Sequence, residues 1–117
     1  MNYKTYGLIL FGIGAIHSLL GVVMFGQTLW QPIQQGWWHT LGPEALMATL
    51  AFWFLMTGLF ICLYGLALSK RVGAVSRLES GTLAVASAVG AVGMPASGFW
   101  LPLGLALVAS ARRAKAS

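Results

Sequence analysis

Residues 6–29 read YGLILFGIGAIHSLLGVVMFGQTL, a run without a single charge. The hydrocarbon core of a bilayer takes about 20 apolar residues in helix, and this run supplies them. Residues 45–68 form a second uncharged apolar run, and residues 81–110 a third. The third is too long for one span and short for two. Met94-Pro95-Ala96-Ser97-Gly98 breaks it, and proline and glycine this close end one helix and permit a tight turn. The expected architecture is therefore all-α. It is an integral membrane four-helix bundle in one domain over residues 1–117, with spans at 6–29, 45–68, 80–94 and 98–111.

Composition agrees. Of 117 residues, 58% are hydrophobic and 8% charged, against roughly 45–50% and about 25% in a soluble domain. Seven basic and two acidic side chains cannot cover the apolar surface of a chain this size. A soluble enzyme, a disordered tail and a disulfide scaffold are excluded, the last because Cys62 is the sole cysteine. The net charge is +5 and the pI about 10.0. On a soluble protein that would suggest nucleic acid. Here the charges fall in clusters between apolar runs, so they speak for topology, and no nucleic-acid partner is expected. Met1-Asn2-Tyr3-Lys4 before an apolar run has the outline of a signal peptide. No small-x-small cleavage site follows, and a retained first helix is expected.

Lys4 precedes the first run. Lys70, Arg71 and Arg77 lie between the second and third spans, and Arg112, Arg113 and Lys115 follow the fourth. Four spans put every basic residue, and both termini, in the cytoplasm; three spans would put Arg112, Arg113 and Lys115 outside. Trp30, Trp37, Trp38, Phe99 and Trp100 then fall at outer ends, and Tyr3, Tyr6 and Tyr64 near inner ends, where aromatic rings prefer to sit. The first outer connection carries Trp30, Ile33, Trp37 and Leu41 at helical spacing, with Pro32 suited to a first turn. A short interfacial helix between the first two spans is expected, with a tryptophan-anchored irregular loop as the alternative. Glu44 suits the first turn of the second span. His39 and Glu44 could converge at the outer mouth, and Glu79 is expected to pair with Arg77.

Gly7, Leu10, Gly14, His17, Gly21 and Met24 share one heptad face of the first span. Ala51, Gly58 and Gly65 repeat the device on the second. Small residues let helix backbones approach, so such faces pack on other helices. His17 sits on that face at mid-depth, beside Ser18, and a charged ring there is costly; it is expected neutral and turned inward. Three roles are open to it: a hydrogen bond to a neighbouring helix, contact with a ligand or a relayed proton, or ligation of haem or a metal. The antiparallel second helix brings Trp53 and Met56 nearest its depth. Cys62 lies about two turns away, badly placed for a shared metal.

The runs Gly14-x-x-His17-x-x-x-Gly21, Ala51-Phe52-Trp53-Phe54-x-x-x-Gly58 with Gly65 after it, and Met94-Pro95-x-Ser97-Gly98-Phe99-Trp100 resemble, in that order and over nearly the whole chain, a family of small bacterial membrane proteins, domain of unknown function 6463. The resemblance implies a bacterial inner-membrane protein with four spans. It draws attention to His17, Trp53, Ser97, Phe99 and Trp100 and implies no activity.

Three classes of function follow. The third and fourth spans are short against a core of roughly 30 Å. Their outer tip could leave a depression in which His17, Gly14, Gly21, Trp53, Met56, Phe99 and Trp100 hold a small lipophilic ligand. The small-residue faces could instead seat a homo-oligomer or a membrane-protein partner, making the chain an accessory subunit. Or His17 could act as acid and base, with Trp53 or Trp100 steadying a cation, in a lipid or isoprenoid isomerase; a haem or quinone redox role belongs to the same class. No second acid or base lies at the depth of His17, so no catalytic residue is assigned and no metal site is expected.

Overall fold

A computed structural model of the chain describes residues 1–94 and 98–116. They form α1 (Tyr3–Gln34), a single 3-10 turn (Pro43–Ala45), α2 (Leu46–Ser69), α3 (Arg77–Gly93) and α4 (Trp100–Ala116). The all-helical expectation holds. The turn expected at 94–98 lies partly outside the described residues, with Pro95 and Ser97 among those not described.

α1 starts and stops for local reasons. Asn2 caps α1, its side chain accepting from the Thr5 amide at 2.9 Å. α1 runs through Pro32 to Gln34, is capped at Gln35, and is followed by Gly36, which has φ 87°. The Gly36 amide donates to Ile33 at 3.1 Å and the Trp37 amide to Pro32 at 2.9 Å. Those two bonds are the Schellman pattern, and glycine enters its left-handed step without a Cβ penalty. This overturns the interfacial helix expected over 30–41. Trp30 and Ile33 belong to the last turns of α1, and beyond Gly36 the chain turns irregularly, with Trp37 at φ 68° and His39 at φ 53°. The spacing of Trp30, Ile33, Trp37 and Leu41 was helical in period, but Gly36 interrupts it as a helix stop.

α1 and α2 form a long antiparallel pair, α3 and α4 a second, shorter pair that meets α1 through α4. Among the described residues α2 packs closely on α1 and on neither α3 nor α4, so the four helices are not closed into a bundle between α2 and α3. α1 has 32 residues and α3 and α4 have 17 each, which is about 48 Å against about 25 Å of helix. The core sits at the end where the chain begins. Tyr3, Tyr6 and Leu10 of α1 pack with Leu68, Val75, Leu105 and Ala109 there. The radius of gyration is 16.6 Å, where a compact chain of this length has about 13 Å.

Among the described residues two helices, α1 and the segment Pro43–Ser69, are long and apolar enough to cross a membrane, and only 17% of the most apolar stretch of each is buried. Leu19, Val23, Met24, Met47, Leu50 and Trp53 are all exposed.

Candidate functional site

The glycine faces of α1 and α2 meet each other. A Cβ at Gly14 would lie 2.7 Å from the Cys62 amide nitrogen and from the Gly58 carbonyl; one at Gly65 would lie 2.5 Å from the Phe11 nitrogen. Backbone touches backbone, which only residues without a side chain allow. Gly7 lies opposite Gly65 and Gly14 opposite Gly58. The same register carries Gly21 to the level of Ala51, which is fully buried.

That register fixes the surroundings of His17. One turn beyond Gly14, its ring stacks on Phe54 with centroids 3.9 Å apart and planes 17° apart. Its Nε2 lies 3.0 Å from the Phe54 carbonyl. A carbonyl can only accept, so Nε2 carries the proton and donates. Phe25 meets the Phe54 ring edge-on at 5.2 Å. Nδ1 has no partner among the described residues and is not sealed from the surface.

The expected site residues separate into groups. His17, Gly14 and Gly21 sit together against α2, but both glycines are filled, Gly14 by Gly58 and Cys62, Gly21 by Leu55 and Phe54. Met56 is half-buried, and Trp53 is 56% exposed with its ring edge-on to Phe52. His17 therefore turns to the neighbour of Trp53, and that partner, Phe54, was missed. Phe99 lies over Gly90, closing the α3–α4 pair, and Trp100 is exposed at the start of α4. Among the described residues no three metal-ligating side chains gather.

The sequence profile of a family of unknown function, DUF6463, matches residues 1–116. The chain belongs to that family. No curated protein and no solved structure matches it. Membership in DUF6463 brings no activity, so chemistry has to be argued from the side chains.

This DUF6463 member has a second organised cluster, at the core end. Ser76 caps α3 by accepting from the Glu79 amide at 3.1 Å. Its hydroxyl donates to Glu79 at 2.9 Å. The Tyr3 hydroxyl donates to the same carboxylate and accepts from the Ser76 amide at 3.2 Å. Arg71 pairs with Glu79 at 2.7 Å and lies 5.7 Å from the centre of the Tyr3 ring. The Tyr3 amide donates to Gly73 at 3.0 Å and the Val75 amide to Met1 at 3.1 Å, and Arg113 donates to the Val75 carbonyl. Glu79 thus pairs with Arg71 and not with Arg77 as expected, because it turns back to its cap while Arg77 lies exposed at the first position of α3. Desolvation pushes the Glu79 carboxyl up. Hydrogen bonds from Tyr3 and Ser76 and the Arg71 charge outweigh it and hold the group below its ordinary range. The Ser76-x-x-Glu79 spacing is a capping-box signature that could have revealed the cap; nothing local to Tyr3 announces its part.

Proposed function

We propose that the chain is a bacterial inner-membrane protein of four spans with both termini cytoplasmic, and that the flank of α1 at His17 holds the polar end of a small lipophilic molecule. The observation that carries this reading is the posture of His17. Its Nε2–H is committed to Phe54, so the ring is fixed and Nδ1 is the free acceptor. In a membrane a polar atom at mid-depth needs a partner. The short α3–α4 pair supports the same view. Starting from the same end as α1, it is about half as long and meets α1 only through α4, and Ile16 and Leu20 on either side of His17 stay exposed. The ligand is one with a hydrogen-bond donor on an apolar body. Trp53, exposed one residue from Phe54, is the aromatic group nearest to line it.

The test is an organic extract of the protein purified in mild detergent, analysed by mass spectrometry. A single small lipophilic compound that accompanies the wild type and is lost from His17→Ala supports the reading. A wild type that carries nothing beyond bulk lipid sinks it, and a Soret band would reassign Nδ1 to iron.

A second reading, an accessory subunit or homo-oligomer, is favoured by the one-sided packing of α2. Cross-linking in native membranes that yields a discrete larger species supports it, and a uniformly monomeric product removes it.

A further inference from the structure

The basic residues lie at one end of the molecule: Lys4 beside the start of α1, Lys70 and Arg71 after α2, Arg77 opening α3, and Arg112, Arg113 and Lys115 closing α4. Two have work inside the fold, Arg71 on Glu79 and Arg113 on Val75. Arg77 is placed differently. A cation at the first position of a helix opposes the helix dipole, and Ser76 and Glu79 already complete the cap. Local structure therefore gives Arg77 no reason to be basic.

What Arg77 does have is an open apolar flank. An open, shallow strip of surface runs from it along α3, formed by Leu78, Gly81, Thr82, Val85 and Ala86 of that one helix. A Cβ at Gly81 would meet nothing within 4 Å, so the strip is open there. Leu78, Val85, Val89 and Val92 continue an exposed apolar stripe up the same helix. A groove of about 360 Å³, between α3 and Tyr64 of α2, shares Leu78, Thr82 and Ala86 with that strip. The pattern is a cation at one end and an apolar wall running toward the membrane interior.

We propose that this flank of α3 binds an anionic phospholipid, with its phosphate at the Arg77 guanidinium and an acyl chain along Leu78, Gly81 and Val85. Charge complementarity selects the occupant. The chain carries +5 overall, and a basic pocket on the cytoplasmic side of spanning helices attracts acidic headgroups. A neutral lipid would fill the apolar wall and gain nothing from Arg77. The proposal rests on the membrane reading above, and specifically on the basic end facing the cytoplasmic leaflet.

The experiment uses the full chain in neutral detergent, with equal phosphatidylglycerol and phosphatidylcholine added and bound lipid counted by native mass spectrometry. Alkaline carbonate fractionation of the same cells comes first. Release into the supernatant defeats the membrane reading itself, and this proposal with it. Retention in the pellet leaves the lipid site to stand or fall alone. The wild type should keep phosphatidylglycerol in preference. Arg77→Gln should lower that retention about fivefold, as loss of one basic contact near a surface does, and Arg77→Lys should restore most of it. Gly81→Leu, whose Cβ would meet nothing within 4 Å and whose side chain would stand on this flank, should lower retention of both lipids. Lys4→Gln, at the same end on another helix, should change little. Equal losses in Arg77→Gln and Lys4→Gln would mean diffuse attraction and overturn the site. So would unchanged retention in Gly81→Leu, or no preference in the wild type. Circular dichroism of each variant confirms that the helices are intact.

Discussion

The His17 ring lies flat on the Phe54 ring at 3.9 Å and gives its Nε2 proton to the Phe54 carbonyl at 3.0 Å, so one residue of α2 both stacks and anchors it. The Phe54 carbonyl also belongs to the α2 backbone ladder, so it accepts twice. The contact ties the α1–α2 pair between the close approaches at Gly14 and Gly21.

His17→Ala should lower stability in detergent by about 1–2 kcal/mol, from an interhelical hydrogen bond of roughly 0.6 kcal/mol and a ring stack of about 0.5–1.5 kcal/mol. Phe54→Leu should lose the stack and keep the carbonyl, at smaller cost. Thermal melts followed by circular dichroism compare the two. If His17→Ala melts like the wild type, the anchor has no energetic weight.

The glycines of α1 and α2 divide sharply by face. A Cβ at Gly65 meets the Phe11 nitrogen at 2.5 Å and the Gly7 oxygen at 2.6 Å, both backbone, whereas at Gly12 nothing lies within 4 Å. Gly65→Ala must push the helices apart and should cost about 1–3 kcal/mol. Gly12→Ala should be neutral or stabilising by up to about 1 kcal/mol through helix propensity. The same melts decide it; equal effects at the two positions would show that α1 and α2 do not pack through these faces.

Much of this was legible in the residues. Uncharged apolar runs located α1 and α2 within a few residues. The heptads of Gly7, Gly14 and Gly21 and of Ala51, Gly58 and Gly65 revealed the contacting faces. Matching those two sets in antiparallel register would also have placed His17 beside Phe54, one residue from the Trp53 expected. The interfacial helix failed for a local reason: a period can be read through Gly36, but the backbone stops there. The clasp at Glu79 was beyond reach. Tyr3 and Glu79 are brought together by the whole path of α1 and α2, and no pattern near either residue encodes that path.

Topology is open to direct measurement. Fusions of a periplasm-active reporter and a cytoplasm-active one after Gln35, after Lys70 and after Lys115 should report outside, inside and inside, because every basic residue lies at one end. A C-terminal fusion active outside, with the one after Lys70 inside, would leave α3 and α4 as a single span.

Glu79 carries the pH dependence. Its carboxyl is held below its ordinary range by the Tyr3 and Ser76 hydrogen bonds and the Arg71 charge, against the opposing effect of desolvation. A carboxylate that binds its proton less readily when folded contributes stability above its unfolded value, near about 4.3. That contribution is lost as pH falls through the lower folded value. Melting temperature should therefore be flat from about pH 7 down to about pH 5 and drop below about pH 4. Glu79→Gln should start lower and lose most of that drop, because the charge that titrates is gone. Tyr3→Phe should lose stability at every pH. It removes the donor to Glu79 and also the acceptor of the Ser76 amide, and an orphaned, largely buried group costs about 1–3 kcal/mol. Arg71 is 59% exposed, so Arg71→Gln should be mild and salt-sensitive, within about 1 kcal/mol. If Glu79→Gln keeps the full acid transition of the wild type, another carboxyl is responsible. Glu44 is then the one to replace, since the chain has two acidic side chains.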